Sequence, residues 1–196
     1  MKIISVDPGA SGAFCIKNGE DATVYDMPSM IGRNGKKQID IAAIVKLLEP
    51  HKDADIFVIE DVHCMVGNGA VSMFTFGRGK GILEGVAFSM GMRVIYVSPQ
   101  AWKKFYAELA PPPKPPKPPK GTPKKPKEAK PKTTNEKKEA AKQKRLVKAH
   151  AKEKARTLAG EMYPQLKDRF KTVNSDGRAE AVLIAHFAEK NYTEIK

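Results

Sequence analysis

No stretch of this chain stays apolar for the ~18 residues that a transmembrane helix needs. Its first residues, MKIISVDPGASG, pass straight into a strand-like pattern without the apolar core of a secretory signal. A cytoplasmic protein with no membrane partner is therefore expected. Cysteine is almost absent: Cys15 and Cys64 are the only two, and they lack metal-site spacing. Both are expected to be buried, reduced thiols, which excludes a disulfide framework. No internal repeat is visible, which excludes a solenoid. The 196 residues suit one domain with an appendage.

Acid is also scarce in one place. Residues 111–148 hold thirteen Lys, one Arg and only three Glu, so +11 of the net +13 falls there and the rest of the chain is nearly neutral. Basic blocks of this kind meet nucleic acid or another polyanion. Within the block, PPPKPPKPPKGTPKKPKEAKPK (Pro111–Lys132) repeats proline too often for helix or sheet interior. An extended, flexible basic insertion is expected there.

The remainder alternates strand and helix signals. Lys2–Asp7, Gly12–Gly19 and Thr23–Met27 read as three antiparallel strands. Asp40 can cap a helix with an Ile44, Leu47, Leu48 stripe that ends near Pro50. ADIFVIE (Ala54–Glu60) reads as a strand buried on both faces. A helix near Val71–Met90 and a second buried strand, Met92–Val97, follow, and Ser98-Pro99 opens the next helix. After the insertion, Thr133 and Glu136 can form a capping box for a long basic helix over Asn135–Met162. Val147, Ala151, Ala155, Leu158 and Met162 make the stripe expected to pack. A last helix starts at Ser175. The fold class is α/β, a five-stranded mixed sheet flanked by helices, with residues 1–110 and 133–196 forming one domain around the insertion at 111–132.

Four acids sit at the ends of these elements. Asp7 closes the first strand, Glu60 closes the fourth, and Asp176 and Glu180 open the last helix. Singly, each has an ordinary explanation: a DPG turn, a strand end, a favourable helix N-terminus, a surface residue. Jointly they converge, because sites in such sheets form at the carboxyl ends of parallel strands. No Arg or Lys adjoins Asp7 or Glu60 in sequence, so a divalent cation is expected to hold the charges together, including the i, i+4 pair Asp176 and Glu180. Oxygen donors suit Mg²⁺ or Mn²⁺ rather than Zn²⁺. Two such ions ~3.5–4 Å apart form a phosphodiester-cleaving site.

The segments SVDPGASGAF, FVIEDVHCMVGNGAVSMFTFGRGKGILEGVAF, VSPQAWKK and DGRAEAVLIAHF resemble the RuvC family of Holliday junction resolvases, nearest to its compact phage-type members. The resemblance implies an RNase H-like fold and a homodimer that cuts branched DNA by paired nicks, leaving 5′-phosphate and 3′-hydroxyl ends, in a bacterial cell or phage setting. It implies Asp7, Glu60, Asp176 and Glu180 as catalytic, Mg²⁺-binding residues, two ions per site, with no nucleotide cofactor. Lys103 and Lys154 match its basic helper residues. Its junction-wedging aromatic falls on His63, with Phe74 and Phe76 as alternatives that read equally well as core, and Arg78 and Lys80 lie on the same DNA-facing stretch. Two other readings stay open: a ribonuclease H acting on RNA–DNA hybrids, and an inactive branched-DNA-binding module. A sugar-kinase-like phosphotransferase is excluded by length, since it needs two related domains.

Overall fold

The computed structural model describes residues 1–32, 35–63, 69–109, 134–172 and 175–192. Calls on the insertion at 111–132, on Cys64 and on Thr133 lie outside the described residues. No described helix is long and apolar enough to cross a membrane.

Three strands, β1 (Lys2–Asp7), β2 (Ala13–Asn18) and β3 (Asp21–Asp26), form the expected antiparallel meander. A two-stranded ribbon, β4 (Ser29–Ile31) with β5 (Lys37–Ile39), precedes helix α1 (Ile41–Leu48). Strand β6 (Ile56–Glu60) leads to helix α2 (Ala70–Ser89), and β7 (Val94–Val97) leads to α3 (Pro99–Phe105). Two long helices close the fold, α4 (Thr134–Met162) and α5 (Asp176–Asn191). The main sheet has the order β3-β2-β1-β6-β7, with β6 parallel to β1 and β7 parallel to β6.

Side-chain alternation along the central strands divides the core in two. Ile4, Val6, Phe57 and Ile59 face the layer built from Ile44 and Leu48 of α1 and Leu83, Val86 and Ala87 of α2. Ile3, Ile56 and Val58 face the opposite layer, which holds Trp102 and Tyr106, the end of α4, and α5. Helix α5 fits closely because its inward face mixes small and large residues: Ala179, Ala181, Ala185 and Ala188 beside Val182, Leu183 and Phe187, all buried. Ser5 fixes its position, donating its hydroxyl to the Ala181 carbonyl at 2.6 Å inside the core. Such a bond contributes about 1 kcal/mol, and more is lost if the carbonyl is left unpaired.

Cys15 is buried in this layer, and desolvation pushes its thiol pKa up to about 12. The α1 cap is as expected, with Asp40 accepting from the Ala43 amide at 3.0 Å.

Three expectations are corrected. The β4-β5 ribbon was not foreseen, because its three-residue strands show no sustained alternation. Strand β7 is an edge strand rather than fully buried: only Val97 is enclosed and Tyr96 is exposed. The α4 stripe packs only from Ala155 onward, while Val147 is 62% exposed and Ala151 is also open to solvent. Periodicity gave the stripe, but among the described residues no element faces its upper half.

Candidate active site

The parity that builds the core also builds the site. Positions 3 and 5 of β1 face the α5 layer, and so does the next odd residue, Asp7. Positions 56 and 58 of β6 do the same, and so does Glu60. The parallel register pairs Val6 with Ile59, so the two acids leave adjacent strands at the same end and on the same face. Helix α5 crosses that face and adds Glu180. One carboxylate oxygen from each of Asp7, Glu60 and Glu180 lies within 4.8 Å of the other two.

Two glycines allow this approach. A Cβ at Gly177 would lie 2.9 Å from the Gly12 backbone and 3.0 Å from Asp7 Oδ2. A Cβ at Gly12 would strike the Asp7 carbonyl oxygen at 2.0 Å. The first turn of α5 therefore rests directly on the β1–β2 turn through Gly177, and Gly12 lets that turn close tightly on the Asp7 carbonyl.

Glu60 is buried, and its Oε1 accepts the indole N–H of fully buried Trp102 at 2.8 Å. The Asp7 carboxyl is pushed up to about 8, first by burial and then by the negative charges of Glu180 and Glu60. Burial and Glu180 likewise raise Glu60, against the opposing pull of Trp102 and Lys103. Removal from water and like-charge crowding both act here, and either disfavours ionisation. Lys103 offers partial compensation: its Nζ is 3.7 Å from Glu180 and 4.8 Å from the Trp102 ring centroid.

Asp176 stands apart from the three. Lys152 reaches its Oδ2 at 2.9 Å, and Arg156 bonds its Oδ1, both from α4. That bond holds the Lys152 ammonium above its ordinary range. The two acids at i, i+4 on α5 are thus held by different partners. Asp176 belongs to an ion-pair cluster that ties α4 to α5, whereas Glu180 joins the strand-end acids. Lys152 was not anticipated as a site residue. Lys154, the expected helper, is exposed and lies two residues on, about 200° around the helix.

The other expected DNA-facing residues scatter. Phe74 is 74% exposed and is not core. Phe76 is half-buried and lines the same cleft of about 840 Å³ as Asp7, Lys152, Asp176 and Glu180. Arg78 borders an adjacent groove with Phe74 and Lys37. Lys80 is engaged with Asp61 at 2.5 Å, which also holds the Asp61 carboxyl below its ordinary range. His63 is exposed, with its Nε2 3.4 Å from Asp61.

The mixed five-stranded sheet of order β3-β2-β1-β6-β7, flanked by helices, is an α/β architecture that matches the RNase H-like fold. Among solved structures the chain is similar to two of RuvC. One is T. thermophilus RuvC in complex with a Holliday junction substrate: 12% identity, TM-score 0.55, covering 98% of this chain and 97% of that one. The other is Thermus thermophilus RuvC, with 12% identity, TM-score 0.51, and 97% and 96% covered. No family model and no curated protein sequence matches the chain.

The donor set fits a hard divalent cation. All three donors are carboxylate oxygens, close enough to share an ion, and their crowding disfavours the metal-free ionised state. Among the described residues no His or Cys joins the group, so its chemistry matches Mg²⁺ or Mn²⁺ better than Zn²⁺.

Proposed function

We propose that this protein is a metal-dependent endonuclease that cleaves branched DNA, resolving four-way junctions by paired nicks that leave 5′-phosphate and 3′-hydroxyl ends. The observation that carries the reading is the convergence of Asp7, Glu60 and Glu180 at the carboxyl ends of β1 and β6, in a chain with the fold of RuvC.

Asp7, Glu60 and Glu180 would hold Mg²⁺, or Mn²⁺ in its place, with two ions per site when DNA is present. When bound, such ions lower the pKa of an attacking water and stabilise the leaving oxygen of a phosphodiester. The protein's own share is positional and electrostatic. Trp102 fixes the orientation of the Glu60 carboxylate by occupying one of its oxygens. Asp7 ends the central strand of the sheet, which pairs with β2 on one side and β6 on the other. Lys103 is half-exposed beside Glu180 and offsets the negative charge of an incoming phosphate, which three carboxylates alone would repel. Phe76 gives the cleft wall an aromatic surface on which an unpaired base can stack.

A homodimer suits the substrate, because two-fold protein symmetry matches the two strands cut in a four-way junction. The test is cleavage of labelled four-way, three-way, flap, linear-duplex and RNA–DNA hybrid substrates in Mg²⁺, side by side. Paired nicks confined to branched DNA are the expected result. Cutting confined to the hybrid would replace this reading with a ribonuclease H, and binding without cutting would replace it with an inactive binding module.

A further inference from the structure

We propose that one face of α4 is a track for a duplex arm of the DNA, leading that arm into the cleft; this rests on the nuclease reading above. Helix α4 packs only its final turns, where Ala155 and Ala159 are buried. Every described side chain from Lys138 to Lys154 is exposed. A rod this long, standing clear of the core, needs a reason in its own surface.

Its charges are sorted by face. At about 100° per residue, Lys138, Arg145, Lys148, Lys152 and Arg156 fall within a sector of about 80°. Glu139, Glu153 and Glu161 fall outside it, and Lys154 lies nearly opposite. The orientation of the sector is set at its lower end, where Lys152 and Arg156 bond Asp176 and Lys152 lines the cleft. The basic ridge therefore starts at the candidate active site and runs away from it. From Arg156 to Lys138 it rises about 27 Å at 1.5 Å per residue, the length of about eight base pairs at 3.4 Å each.

Exposed lysine and arginine along one helix face neutralise phosphates, and phosphate contacts carry no sequence information. The ridge therefore fits the backbone of a duplex arm and adds affinity without sequence preference. It also gives the three upper cations, Lys138, Arg145 and Lys148, a role that does not touch the carboxylates.

The test compares two full-length variants that each lose three charges. One is K138Q/R145Q/K148Q on the ridge. The other is K46Q/K52Q/K190Q, on α1, on the turn before β6 and on the last turn of α5. Glutamine keeps nearly the helix propensity of lysine, and circular dichroism checks that α4 persists. Binding to a four-way junction with ~20-base-pair arms is measured in Ca²⁺ across a salt series, and cleavage is measured in Mg²⁺ at saturating junction. Each lost phosphate contact removes about 0.9 from the slope of log K against log salt. The ridge variant should therefore be shallower by up to about 2.7, and its affinity loss between about 50 and 200 mM salt smaller than that of the wild type by up to roughly 40-fold. The matched variant should keep the wild-type slope, and all three should cleave at the same saturated rate. An unchanged slope in the ridge variant, or equal losses in both variants, would overturn the track. Failure of the nuclease reading looks different: the wild type would then not cleave, whatever the slopes.

Discussion

Trp102 donates its indole N–H to Glu60 across 2.8 Å, and both side chains are buried. This bond joins the helix after the edge strand to the acid at the end of its neighbour, so α3 helps set the geometry of the carboxylates. Partners that orient a ligand in this way typically contribute 10- to 100-fold to metal affinity or activity. Trp102→Phe keeps an aromatic ring and removes the donor. Cleavage should fall by roughly that factor, with the half-saturating Mg²⁺ concentration raised. An unchanged Mg²⁺ dependence would show that Glu60 is oriented without it.

The crowding around Asp7 sets a pH dependence with a definite sign. Its carboxyl titrates at about 8 in the folded chain and at about 3.9 when unfolded. Between those values the folded state binds more protons, so this group's contribution to stability falls as pH rises from about 4 to about 8. Asp7→Asn removes the titration. In metal-free buffer its melting temperature should gain on the wild type from pH 5 to pH 8.5. A wild type that gained on the variant over that range would contradict the assignment.

Asp176 serves the attachment of α4 to α5 in the metal-free protein. Asp176→Asn weakens its bonds to Lys152 and Arg156, which should cost about 1–3 kcal/mol and lower the melting temperature, whereas Glu180→Gln should leave or raise it. Comparison of the two melts separates a structural ion pair from a carboxylate under like-charge repulsion. Equal shifts in the same direction would show that the two acids share one environment.

Gly177→Ala should be severe for its size. The added methyl meets backbone on one side and Asp7 on the other, so α5 must lift from the β1–β2 turn and carry Glu180 with it. Both cleavage and stability should drop, while Gly81→Ala, on the open side of α2, should be neutral or slightly stabilising. Circular dichroism melts of both variants check this.

Much of the fold was legible because the apolar runs of β1 and β6 could only be central strands, and their parallel pairing brings Asp7 and Glu60 together. The site was less so. Trp102 reaches Glu60, and Lys152 and Arg156 reach Asp176, through tertiary docking that no local pattern encodes. Spacing alone put Asp176 and Glu180 on one ion; in the metal-free chain Asp176 is bonded to Lys152 and Arg156 of α4, while Glu180 lies with Asp7 and Glu60. A signal for Lys152 did exist: it shares a helix face with Arg156, and Lys154 does not. The glycine at the second position of α5 was a further sign, since a helix start has no need of one unless something lies against it.

The most direct test of the central claim is a denaturing gel of a labelled four-way junction incubated with Mg²⁺ and the wild type, Asp7→Asn, Glu60→Gln or Glu180→Gln, with binding measured in parallel in Ca²⁺. The expected result is paired nicks by the wild type alone, abolished by chelator, with junction binding kept by all four proteins. Nicking by any of the three variants at the wild-type rate, or no nicking by the wild type in either Mg²⁺ or Mn²⁺, would contradict it.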